Sequence, residues 1–70
     1  MDYNDLNNKQ QENLINAIVK KISNKLDKNS TLEEFILLLE EYKNKYNMNN
    51  NKLERAIIRS EILKNIKKTL

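Results

Sequence analysis

The sequence predicts an all-α fold, a three-helix bundle, and three observations carry that prediction. Glycine and proline are both absent from the 70 residues, so tight glycine hairpins are unlikely and turns fall to Asn, Asp and Ser. Leu, Ile, Lys and Glu, which are good or fair helix formers, recur at helical spacing. Polar breaks at Asp27-Lys28-Asn29 and Asn49-Asn50-Asn51 then divide the chain into three amphipathic segments. No linker is long enough to separate domains, so residues 1–70 read as one small domain. A chain this short sits near the size at which one core barely suffices. With no cysteine or histidine, disulfides and the usual zinc staples are excluded. Stability must come from helix packing or from a partner chain.

The first helix is expected over about residues 8–27. Asn7 or Asn8 can cap it, each with a glutamine three residues on (Gln10, Gln11) in capping-box register. Leu14, Ile15, Ile18, Val19, Ile22 and Leu26 fall within an arc of about 140° at 100° per residue, one core-facing stripe. Lys20, Lys21 and Lys28 lie outside it and read as a solvated basic face. A membrane-surface helix would want aromatic anchors that this face lacks.

The second helix is expected over about residues 31–46. Ser30 with Glu33, or Thr31 with Glu34, forms its capping box, and the two glutamates suit the positive end of the helix dipole. Leu32, Phe35, Ile36, Leu38, Leu39, Tyr42 and Tyr46 make a stripe of about 160°. Leu37 faces the other way. So small a domain gains little from a stray exposed leucine, so Leu37 is a candidate contact with another chain.

The third helix is expected over about residues 50–69, and it poses a geometric problem. Leu53, Ala56 and Ile57 cluster on one side. Ile58, Ile62, Leu63, Ile66 and Leu70 cluster about 150–180° away on an ideal helix. Either the chain breaks near Arg59-Ser60-Glu61, or one long helix is gripped from two sides. Since no glycine or proline marks a break, the long helix is favoured. Ile58, Ile62, Ile66 and Leu70 then form a homodimer seam at four-residue spacing.

Charge is unevenly spread. Thirteen Lys/Arg stand against ten Asp/Glu, a formal +3. Residues 30–46 hold two basic and four acidic groups, net −2; residues 52–70 hold six and two, net +4. The longest apolar run is Phe35-Ile36-Leu37-Leu38-Leu39, far short of a membrane span. The acidic, polar N-terminus is unlike a secretory signal. A cytoplasmic location with no membrane partner is expected. Abundant Asn, Lys and Ile, all read by A/T-rich codons, suggest a low-GC bacterium, plasmid or phage.

Nothing in the chain looks equipped for catalysis. The commonest general base and the best nucleophile are both missing. The pairs Glu33/Glu34 and Glu40/Glu41 diverge by about 100° on a helix. No glycine loop can cradle a phosphate. The expectation is a non-enzyme without cofactor or metal.

One stretch carries a resemblance. Taking Asn47 as a turn residue, apolar positions fall at Tyr42, Tyr46, Met48, Leu53 and Ala56. Asn also tolerates positive φ better than most residues. This spacing resembles the general helix-turn-helix pattern of DNA-binding proteins, over roughly Leu39 to Ile58, and matches no particular family of them. The sequence departs from it at Lys43, where the motif has a small residue at the helix crossing, and in its long bracing helix. The resemblance implies DNA contacts from Asn49, Asn50, Asn51, Lys52, Arg55 and Arg59. Asn suits adenine, Arg suits guanine and Lys suits phosphate. Lys64, Lys67 and Lys68 would add backbone phosphate contacts. Capping at Asn49 would make the turn compact, as a DNA reader requires. Capping at Asn51, boxed with Glu54, would lengthen it, and the Asn51 box is slightly favoured.

Two functional expectations follow. The first is a small DNA-binding regulator. The alternative is a protein-binding inhibitor or adaptor of the antitoxin, immunity or anti-defence type, using Leu37 and the late isoleucines. RNA or ribosome association through the lysine-rich helices is a weaker third, for want of exposed aromatics to stack on bases.

Overall fold

The computed structural model describes residues 2–65, and they form an all-α three-helix bundle. α1 spans Asn8–Lys25, α2 Leu32–Lys45 and α3 Lys52–Ser60, with short 3-10 turns at Tyr3–Asp5 and Ile62–Asn65. α1 packs against both other helices, while α2 and α3 approach each other little. No described helix is long and apolar enough to cross a membrane.

α1 starts as its capping box dictates. Asn7 Oδ1 accepts from the Gln10 backbone N–H at 2.8 Å, and Gln10 Oε1 accepts from the Asn7 N–H at 3.1 Å. Ile15, Ile18 and Ile22 are buried, with Leu14, Val19 and Leu26 packed at the edge of the core. Lys20, Lys21 and Lys28 are exposed.

α2 takes the second of its two cap registers. Thr31 Oγ1 accepts from the Glu34 N–H at 3.1 Å. Ser30 is buried and belongs to the preceding turn, where its Oγ accepts from the Asp27 N–H at 2.9 Å. Phe35 and Tyr42 are buried, and Leu38, Leu39 and Tyr46 are packed beside them. Leu32 and Ile36, expected in the core stripe, are instead 40% and 44% exposed. Ile36 stands about 100° from the centre of the buried set, at the edge of the arc where burial runs out.

α2 ends in a Schellman cap built on asparagine. Asn47 has φ 55, the left-handed conformation. The Met48 N–H donates to Lys43 O at 2.8 Å and the Asn47 N–H to Asn44 O at 3.3 Å, the paired bonds that define this cap. Met48 and Tyr42 are both buried in the core that closes over it. The N-terminus straps this cap from outside. Tyr3 N–H donates to Tyr46 O at 2.8 Å, and Asn47 Nδ2 donates to Asp2 Oδ2 at 3.1 Å. Tyr3 itself is 1% exposed and a full member of the core.

The connection from α2 to α3 covers residues 46–51. Asn51 is the N-cap of α3, but its side chain makes no cap bond; Asn50 Oδ1 accepts from the Lys52 N–H at 3.0 Å instead. The expected box with Glu54 fails because Glu54 is engaged elsewhere. Its Oε2 meets Lys43 Nζ at 3.0 Å, both side chains being half-buried. Lys43 therefore stays at the helix junction, tied to a carboxylate, where the helix-turn-helix pattern has a small residue.

The long third helix is not what forms. α3 stops at Ser60, and Glu61 turns left-handed with φ 61. Ser60 Oγ donates to Ile57 O at 2.7 Å, occupying one of the open carbonyls at the helix end. This break resolves the two opposed apolar sets. Leu53, Ala56 and Ile57 are buried, and Ile62 and Leu63, beyond the turn, pack back against the same core. A left-handed residue with a Cβ costs about 1 kcal/mol, less than leaving two large side chains in water.

Candidate functional site

The structure splits the sequence candidates between two surfaces. One is a cleft of about 400 Å³ between α1 and α3. Lys52, Arg55 and Arg59 form one wall, Asn8, Glu12 and Asn16 the other, and the buried Tyr3 and Ile15 its floor. Helical spacing brings the three cations together, since they lie at i, i+3 and i+7 on α3. All three are exposed, and among the described residues none lies within ion-pair distance of a carboxylate. Gln11 fixes the floor from the α1 side, its Nε2 donating to Tyr3 O at 3.1 Å. The Tyr3 hydroxyl is buried and has no hydrogen-bond partner among the described residues.

The other candidates are distributed less favourably for a DNA-reading helix. Asn49 and Asn51 are exposed in the connection, while Asn50 is used as a cap. Lys64 is exposed and paired with Glu61 at 3.2 Å. Lys67 and Lys68 lie outside the described residues.

The second surface is the outer face of α2. Leu37 is 60% exposed, and Leu32 and Ile36 are exposed about 140° and 100° away from it on the same helix. On the helical wheel Glu33 and Glu40 fall between Ile36 and Leu37, and both are exposed. The face is therefore apolar and acidic. On α3, Ile58 is 67% exposed, on the side away from Leu53 and Ile57. The expected dimer seam does not survive as drawn. Ile62 is half-buried against the core, α3 ends before it, and Ile66 and Leu70 lie outside the described residues.

Asp2 is the one described group whose pKa is clearly displaced. The Asn47 side-chain amide, followed by the Asn4 backbone N–H, donates to its carboxylate and holds its pKa below the ordinary value. Among the described residues, no cluster of His, Cys, Asp and Glu is arranged to hold a metal ion.

Sequence reasoning did not find Tyr3, Asn8, Glu12 or Asn16 as lining residues. The local signal was slight: an aromatic residue in an otherwise polar segment, with Asp2 placed to cap the turn that follows. Indeed Asp2 Oδ1 accepts from the Asn4 N–H at 2.9 Å.

Compared with known proteins, the chain matches no family model, no curated protein and no solved structure.

Proposed function

We propose that the chain is a small non-enzymatic regulator that works by protein–protein contact, an inhibitor or adaptor, with the outer face of α2 as its docking surface. The observation that carries this reading is the exposure of the neighbouring pair Leu32 and Ile36, with Leu37 exposed farther round the same helix. A domain this small has little apolar residue to spare from its core, and grouped exposed apolar side chains mark interaction sites. The acidic residues among them call for a partner that is apolar at its centre and basic at its rim. A second copy offers such a surface: its α3 presents Ile58, Arg55 and Arg59 to solvent. Reciprocal docking of α2 on the partner's α3 side gives a closed two-fold dimer. It also avoids setting two acidic α2 faces against each other. Sedimentation equilibrium tests this. A dimer that dissociates on Ile36→Ser/Leu37→Ser, with helicity retained, supports it. A wild-type chain that stays monomeric over the whole concentration range counts against it.

A second reading, DNA binding, is favoured by one specific observation. Tyr42, Met48, Leu53 and Ala56 are all buried around a left-handed Asn47, with Tyr46 half-buried beside them, as the helix-turn-helix spacing requires. Two features weigh against it. The connection over residues 46–51 exceeds the usual turn of about three or four residues. The two helices that should brace each other also make little contact. Titration with mixed-sequence duplex at low and moderate salt decides the matter. Phosphate attraction should give measurable binding at low salt if this reading holds, and no binding there ends it.

A further inference from the structure

The cleft between α1 and α3 sets Lys52, Arg55 and Arg59 across from the polar residues of α1. We propose that it is a binding site for a small phosphate ester of about nucleotide size. Two features converge on that ligand class.

The first is charge. Lys52, Arg55 and Arg59 face Glu12 as the one carboxylate among the lining residues. Three cations against one anion leave an excess of two positive charges, which a dianionic phosphate matches and a single carboxylate does not. Arg is suited to bidentate contact with phosphate oxygens, and Lys to holding one as a point charge.

The second is shape. A volume of about 400 Å³ lies in the range of small-molecule sites, roughly 300–1,000 Å³. The cationic side of α3 is thus one wall of a concavity and not a convex ridge. A ridge would suit a major groove; a concavity of this size suits a compact ligand. Asn8 and Asn16 on the opposite wall supply amide donors and acceptors for a base edge or sugar hydroxyl. Ile15 and Tyr3 give an apolar floor for the organic part.

The test is a titration of the purified chain with adenosine monophosphate, inorganic phosphate and duplex DNA as separate probes, read by amide chemical shifts. The expected result is saturable binding of the monophosphate, with shifts along Asn8–Asn16 and Lys52–Arg59. Inorganic phosphate should bind the same residues more weakly and compete. Arg55→Gln/Arg59→Gln, both exposed positions, should weaken the monophosphate at least about tenfold through lost charge-assisted hydrogen bonds. The proposal is overturned if the monophosphate leaves the cleft amides unmoved at about 10 mM, well above the weakest useful affinity. It is equally overturned if the Arg55/Arg59 variant binds like the wild type, or if duplex DNA saturates these residues while the monophosphate does not compete.

Discussion

The outer face of α2 and the cationic side of α3 are both charged, both exposed and both close to an unburied isoleucine, yet they are built differently. On α2 the acidic groups Glu33 and Glu40 stand among apolar side chains on an outward-facing helix surface. On α3 the cations Lys52, Arg55 and Arg59 stand against a second helix, across a floor that is part of the core. An outward helix face gives area and no enclosure, which fits the protein partner proposed for it. The cleft is concave and open on one side, which fits the small ligand proposed for it. Neither difference is visible in composition, which assigns both helices the same vocabulary of Leu, Ile and charge.

The sharpest way to separate the two surfaces is to remove one and keep the other. Leu53 is fully buried and seats α3 against the core. Leu53→Ala should cost about 3 kcal/mol, seen as a large loss in urea midpoint. In the surviving folded fraction it should disturb the cleft more than α2. Next in size is the junction that fixes α3 relative to α2. Asn47→Val combines a β-branched residue at positive φ with loss of the bond to Asp2, and should cost about 2 kcal/mol. Asn47→Gly should be far milder, and a Val/Gly pair compared by denaturant melts isolates the conformational part.

Lys43→Ala leaves the half-buried Glu54 carboxylate without its cation and should cost about 1–2 kcal/mol. Lys43→Ala/Glu54→Ala should recover part of that loss, and a double-mutant cycle reads the coupling directly. Smaller still is the effect of acid on the N-terminal strap. Because the folded pKa of Asp2 is lowered, its contribution is complete above the ordinary carboxylate value. It disappears as pH falls through the lowered one. Protection factors at Tyr3 and Asn47, corrected for the intrinsic pH dependence of exchange, should therefore fall in acid, and Asp2→Asn should flatten that dependence. At the small end, Ile36→Ser/Leu37→Ser should change stability by less than about 0.5 kcal/mol per site when both chains are compared as monomers at high dilution, since both side chains are exposed there.

Much of the fold was legible in the sequence, for reasons that are local. The α1 capping box, the α1 stripe and the position of Asn47 follow from spacing alone, because periodicity reports which side of a helix is dry. The connection was harder. Glu54 could cap Asn51 or pair with Lys43, and only the distance between helix ends chooses. The break at Glu61 has no glycine to announce it. In the fold, burial of Ile62 and Leu63 outweighs the cost of a left-handed glutamate. The cleft was legible by half. Lys52, Arg55 and Arg59 stand out as a cationic strip at helical spacing, but what they face depends on the crossing of α1 and α3, which no local pattern encodes. The same holds for Leu37 and Ile58, whose exposure was predicted, and for Leu32 and Ile36, whose exposure was not.

The central claim is that α2 presents its outer face to a protein partner, with a second copy as that partner. Sedimentation equilibrium of the wild-type chain beside Ile36→Ser/Leu37→Ser tests it most directly. The account predicts a dimer for the wild type, weakened by salt because acidic and basic surfaces meet, and a folded monomer for the variant. A wild-type chain that remains monomeric at every concentration, or a variant that dimerises as well as the wild type, would contradict it.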